Sequence, residues 1–149
     1  VDKEEHLHGR VVMNIFRCSN LLERVGRKLV AKVGLTSVHQ WFILAALSAE
    51  DLSLKQLGKN THVTKQNMTG MIERLKHNEY VTTYEAQEDR RITLVRLTEK
   101  GKQALAQLDG MGYQSNQESL NCLRLEELNS FNGCLLKLIE NMDDDNSCP

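Results

Sequence analysis

Apolar residues recur at alternating steps of four and three along residues 11–33: Val11, Ile15, Cys18, Leu22, Val25 and Leu29. That spacing gathers them on one side of a helix and predicts a long helix whose stripe needs another helix to cover it. Gly34 follows as a C′ residue that can close the helix. Thr36 or Ser37 can cap a second helix carrying Trp41, Phe42, Leu44, Ala45 and Leu47, apolar on most faces and therefore expected at the centre. Ser53 with Gln56 three residues on is a capping-box pattern, opening a short helix through Leu57 to about Lys59, with Asn60-Thr61-His62 as a turn. Thr64 begins a further helix. In it Met68, Met71, Ile72 and Leu75 fall at i, i+3, i+4 and i+7, while Lys65, Gln66, Asn67, Thr69, Glu73 and Arg74 face elsewhere.

The period then changes from 3.6 to 2. Residues 81–85 and 92–97 are β-branched runs joined by residues 86–91, which predicts a hairpin with a charged tip. Thr98 can cap a helix beginning Glu99-Lys100 and continuing through Ala104, Leu105 and Leu108. This helix is expected to weaken or bend at Gly110 and Gly112, because Gly costs about 1 kcal/mol against Ala in a helix interior. A last helix is predicted from Arg124 to Met142, striped by Leu128, Phe131, Leu135, Leu138 and Met142, and Asp143-Asp144-Asp145 leads into a frayed acidic tail. The fold class is mostly α with a small β-hairpin.

Composition sharpens this picture at three points. The 149 residues fit one domain, and the single Pro is the last residue, so proline breaks no helix. The formal net charge of −1 conceals a strong segregation. Residues 53–103 carry ten Lys/Arg against six Asp/Glu, a net +4, whereas residues 104–149 carry two against eight, a net −6. Residues 1–52 carry seven against six, a net +1. Where the charges sit, rather than their sum, bears on nucleic acid, and the middle of the chain is the basic part. Four Cys at 18, 122, 134 and 148 form no C-x-x-C pair, which fits a reducing cytoplasm. No apolar run approaches the roughly 20 residues that span a bilayer, so a soluble protein without a membrane partner is expected.

Two short helices separated by a tight turn, the second polar on its outer face and followed at once by a hairpin, form the plan of a winged helix-turn-helix. The major groove of B-DNA accepts one helix, and exposed side chains near that helix's N-terminus reach base edges. Here these are Thr64, Lys65, Gln66, Asn67 and Thr69. Gln and Asn can pair bidentately with adenine, Lys can reach guanine or phosphate, and a Thr methyl can pack on a thymine methyl. A solvated helix face with no partner accounts for any one of these residues equally well; the order of elements is what argues for DNA.

Three stretches carry a family resemblance: GLTSVHQWFILAAL before the motif, TKQNMTGMIERLKHNEYV across the recognition helix and first wing strand, and DRRITLVRLTEKG at the wing tip, second strand and next helix start. The segment from Leu35 to Gly101 resembles the MarR family of bacterial transcriptional regulators, D-R-R followed by L-x-R-L-T-x-x-G being the specific signal. The resemblance implies a sequence-specific regulator of double-stranded DNA, expected to repress, acting as a homodimer on a pseudo-palindromic operator. Residues 1–35 and 104–149 would form the helical dimerisation region and residues 36–103 the winged motif, in one intertwined domain. Arg91 matches the wing arginine that enters the minor groove, and Asp89 the carboxylate that holds it, as suits a groove whose negative potential attracts guanidinium. Arg90 is expected at phosphate, and Arg74 either at phosphate or paired with Glu73 or Asp89. In one departure, Glu79 preceded by Asn78 stands where the family has Gly, so the turn is expected to shift by one position to exploit Asn's tolerance of the left-handed region.

For switching, the resemblance implies either a small phenolic or aromatic effector or cysteine oxidation. Cys18 and Cys122 occupy places similar to those of paired sensor cysteines on opposite subunits, while the bland reading makes Cys18 a small hydrophobe on its stripe. An effector pocket would draw on His39, Trp41 and Phe42, residues more often found in a core. With no H-x-x-x-H, no metal is expected, and no cofactor. Two other classes compete: a thiol-dependent peroxidase using Cys18, which lacks any nucleophile motif around it, and a winged helix that binds only protein.

Overall fold

Element boundaries follow the capping chemistry closely. In the computed structural model, which describes residues 3–61 and 65–143, the order is α1 (Lys3–Ala31), α2 (Val38–Ala46), β1 (Leu52–Ser53), α3 (Leu54–Thr61), α4 (Lys65–His77), β2 (Val81–Glu85), β3 (Thr93–Leu97), α5 (Glu99–Leu120) and α6 (Leu125–Met142). Ser37, not Thr36, caps α2: its Oγ accepts from Gln40 N at 3.3 Å, and Gln40 Oε1 accepts from Ser37 N at 3.4 Å and from Thr36 N at 2.8 Å. At α3 the same reciprocal pair forms, Gln56 N to Ser53 Oγ at 3.2 Å and Ser53 N to Gln56 Oε1 at 2.9 Å. Thr98 Oγ1 accepts from Gly101 N at 3.1 Å at the start of α5.

The predicted elements need five corrections. Helix α1 starts at Lys3 rather than near residue 11, because its polar first turns carry Glu4 and Glu5 where the helix dipole favours them. Asn60 and Thr61 belong to the last turn of α3, where Thr61 Oγ1 donates to Leu57 O at 2.6 Å; the rest of the expected turn, His62, lies outside the described residues. The hairpin is part of a three-stranded antiparallel sheet of order β1-β3-β2, since Leu52 and Ser53 pair with Val95 and Leu94. Two residues are too few to show a period of 2. Helix α5 runs unbroken past Gly110 and Gly112, and at Gly112 the missing side chain makes room for the Trp41 ring. Finally, Glu79 itself takes positive φ (65°), so the turn does not shift to Asn78.

The chain divides into two compact units, one up to Gly112 and one from Tyr113 onward. In the first, Ile43 and Leu44 of α2 and its C-cap Leu47 sit at the centre, met by Leu57 of α3, by Met68, Ile72 and Leu75 of α4, by Val81, Val95 and Leu97 of the sheet, and by Leu105 and Leu108 of α5. Each such side chain contributes roughly 1.5–3 kcal/mol when fully buried. Val30 anchors the end of α1 in the same core, and Gly34 (φ 83°) then turns the chain, beneath the Tyr80 hydroxyl that donates to Val33 O. The second unit holds the end of α5 and α6, and none of the residues of α6 is buried.

Candidate nucleic-acid interface

Helix α4 is two-faced. Met68, Ile72 and Leu75 are buried and Met71 is partly so, which locks one side into the core. Asn67, Thr69, Glu73 and Arg74 are exposed on the rest. Thr64 lies outside the described residues, as do the side chains of Lys65 and Gln66, although Lys65 and Gln66 themselves open the helix. Among the described residues Arg74 forms an ion pair with neither Glu73 nor Asp89, and it is exposed.

Asp89 is taken by Arg91. The wing hairpin pairs Val81 with Leu97 through Glu85 with Thr93, and its tip closes with Ala86 N to Ile92 O at 2.9 Å and Ile92 N to Asp89 O at 3.0 Å. The Asp89 carboxylate accepts from Arg91 N at 3.1 Å, from Nε at 3.0 Å and from Nη2 at 3.2 Å. This bidentate fork, with its backbone bond, fixes a guanidinium whose side chain is 91% exposed. The Arg91 hydrogen bonds hold the Asp89 carboxyl below the usual carboxylate range. Arg90 is exposed beside it.

At the root of the wing lies a second polar group that sequence reading did not single out. Asp51, in the link between α2 and β1, accepts from the Tyr84 hydroxyl of β2 and from Arg96 Nε of β3 at 2.9 Å on the same oxygen. The Arg96 guanidinium lies over the Tyr84 ring, 4.7 Å from its centroid. The Tyr84 hydroxyl, followed by Arg96, holds Asp51 below its ordinary value; in return Asp51 pushes the Tyr84 phenol up. No local signal pairs these residues, since alternation alone puts Arg96 on the exposed face of β3.

The junction of α4 with the wing is tied to the start of α5. Three successive carbonyls are satisfied there: Asn78 O by Lys100 Nζ at 2.7 Å, Glu79 O by Thr98 Oγ1 at 2.5 Å, and Tyr80 O by Thr98 N at 3.1 Å. Lys100 also sits over the Tyr80 ring, 4.4 Å from its centroid. The left-handed Glu79 is thus held on both sides.

Residues 33–92 match the MarR family. The transcriptional activatory protein BadR of Rhodopseudomonas palustris is 31% identical over 148 residues, covering 95% of this chain and 83% of that protein. The chain belongs to the MarR family. Among solved structures, a MarR-like transcription regulator from Bacillus cereus superposes with a TM-score of 0.81 at 28% identity, covering 93% of this chain and 99% of that one. A MarR-family regulator from Streptomyces coelicolor, solved in complex with DNA, has a TM-score of 0.86 at 18% identity, covering 96% and 90%. These relatives are transcriptional regulators, and so is this MarR-family chain. The peroxidase alternative has no counterpart among them.

The candidate switch residues of this MarR-family protein fall on α1, on α2 and in the turn after α5. His39 stands edge-on to Phe42, with ring centroids 5.8 Å apart, and its Nε2 is 3.9 Å from Glu23 Oε1 of α1. Phe42 is 47% exposed. Trp41 turns away to α5, donating from Nε1 to Asp109 Oδ1 at 3.4 Å and covering Gly112. A cavity of about 420 Å³, lined by Leu47–Asp51, Arg96, Leu97, Lys102, Leu105, Ala106 and Asp109, includes none of His39, Trp41 and Phe42. Cys18 on α1 and Cys122 in the turn after α5 are each exposed in their own unit, as is Cys134 on α6; Cys148 lies outside the described residues.

Proposed function

We propose that this MarR-family regulator binds double-stranded DNA as a homodimer, each copy laying the exposed face of α4 in a major groove and Arg91 in the neighbouring minor groove of a pseudo-palindromic site. The observation that carries the DNA contact is the Asp89–Arg91 fork: a cation with a 91% exposed side chain, held at a hairpin tip by the carboxylate two residues before it. Holding the guanidinium beforehand spares the entropy of ordering it on the DNA, which is what a minor-groove reader needs. Arg90 and Arg74 add cations for phosphate, and Asn67 and Thr69 face outward for base edges. The Streptomyces coelicolor neighbour bound to DNA supports the same use of the fold.

Support for the dimer comes from what the two terminal helices leave uncovered. On α1, Val11, Val12, Met13, Ile15, Phe16, Leu21 and Leu22 are exposed, and only Gly26 and Val30 are buried. On α6, Leu125, Phe131, Leu136, Ile139 and Met142 are exposed as well. Contiguous apolar faces of this kind mark a partner surface, and a two-fold pairing of identical chains covers both at once. Two switches are compatible with the exposed groups: oxidation of Cys18, with Cys122 as its intersubunit partner, and an aromatic effector bound near His39 and Phe42. The sign of regulation depends on where the operator lies relative to a promoter, and the relative BadR is named an activator.

The test is the affinity of the purified protein for DNA selected from a random duplex library, titrated over a range of salt, with Arg91→Ala alongside. Specific binding that falls steeply with salt and weakens by about 10- to 100-fold in Arg91→Ala, with the oligomer intact, is expected. Unchanged affinity in Arg91→Ala removes the wing from the reading, and no selected sequence at all removes DNA. Repeating the titration after stoichiometric peroxide, with Cys18→Ser as control, decides between the two switches.

A further inference from the structure

We propose that Asp51, Tyr84 and Arg96 are positioning residues for the wing, a polar brace that sets the direction in which the hairpin carries Arg91. The proposal rests on the DNA-binding reading above. Its starting point is an asymmetry in how the hairpin is held. Val81, Val95 and Leu97 are buried and fasten its inner face, but they all lie at its root. The flanking strand β1 pairs only at Val95 and Leu94, so from Glu85 through the tip to Thr93 the hairpin overhangs as a two-stranded ribbon. Such ribbons are the most freely twisting sheets and marginal by themselves. Alternation puts Thr82, Tyr84, Leu94 and Arg96 on the outer face, where no buried residue holds them.

On that outer face the brace joins three segments of chain through one carboxylate oxygen. Tyr84 brings in β2 at the point where the overhang begins, Arg96 brings in β3, and Asp51 supplies the foot. The foot is firm, because the next residue is the buried Leu52, paired to Val95. Arg96 stacked on Tyr84 fills the remaining side of the triangle. Two strands tied at different heights to one fixed point cannot roll or tilt independently, so the ribbon leaves the domain at a set angle. Exposed ion pairs add little to stability, which leaves direction as the property this brace most affects.

Tyr84→Phe removes one hydroxyl and Asp51→Asn one charge, and neither empties the core. Each is measured for affinity to the DNA the parent selects, alone and combined with Arg91→Ala, with urea unfolding as the check on folding. If the brace acts through Arg91, each single change lowers affinity about tenfold, and in the Arg91→Ala background the same change costs less than about twofold. Asp51→Glu, which keeps the acceptor, recovers part of the loss. Equal losses in both backgrounds overturn the proposal, since the three residues then contribute independently of the wing arginine. Undiminished affinity in both variants, with the parent binding tightly, overturns it as well. Failure of the parent itself to select any sequence overturns the DNA-binding reading first, and the brace with it.

Discussion

Glu79→Gly should make this protein more stable, although it deletes a side chain. Among the described residues Glu79 is the one non-glycine with positive φ, at 65°. A Cβ in the left-handed region crowds the following carbonyl at a cost of about 1–2 kcal/mol. Glycine removes that cost but gives the unfolded chain more freedom, worth about 0.4–1 kcal/mol in the opposite direction. The Glu79 side chain is exposed, and among the described residues it makes no hydrogen bond or ion pair. The backbone bonds that hold the turn, Glu79 N to Lys76 O at 3.0 Å and Thr98 Oγ1 to Glu79 O at 2.5 Å, survive the change. The balance is a gain of roughly 0.5–1 kcal/mol. Urea unfolding at fixed protein concentration, followed by the fluorescence of the single Trp, measures it as a higher midpoint at unchanged slope. Glu79→Ala is the control, for it keeps the Cβ and the strain and should stay within about 0.5 kcal/mol of the parent. If Glu79→Gly proves no more stable than Glu79→Ala, the turn is not strained and the reasoning fails.

Two glycines of α5 should respond in opposite directions. A Cβ at Gly110 meets nothing within 4 Å, so Gly110→Ala should gain about 0.5–1 kcal/mol from helix propensity, whereas Gly112→Ala, driven into the Trp41 ring, should lose roughly 1–2 kcal/mol and shift the Trp emission. The pH dependence of the Asp51 brace has a definite sign. Its folded pKa lies below the usual value, so its contribution is fully present above the ordinary carboxylate pKa of about 3.9 and is lost as pH falls through the lower folded value. Acid titration of stability should therefore be flat from about pH 5 to 8 as far as this group is concerned, and fall more steeply below pH 4 in the parent than in Asp51→Asn. A difference in slope near neutrality would contradict the assignment.

Local rules were sufficient wherever a feature depends on a few consecutive residues. The capping box Ser53–Gln56, the closing Gly34 and the cap Thr98 each form from groups within four residues of one another and were legible as patterns, while at α2 the pattern left Thr36 and Ser37 both open as the cap. The apolar face of α4 belongs to the same class, set by a period of 3.6, whereas the Asp89–Arg91 fork was expected from the family resemblance. The family signature over the wing was legible for the same reason.

What the pattern missed required distant partners. Strand β1 is two residues that count as a strand only because β3 lies beside them. Gly112 weakens α5 in isolation, yet in the fold it is the space into which Trp41 of α2 packs. Asp51 and Arg96 stand 45 positions apart, and no local pattern pairs them. Glu79 adopts a conformation its own chemistry disfavours because three carbonyls around it are claimed by Thr98 and Lys100. Sequence by itself therefore determined the helices, the hairpin and the residues on its tip, since these follow from periodicity and turn chemistry. Tertiary structure alone decided the angle at which that tip is presented and the strain carried beneath it, because both are set by side chains that only packing brings together.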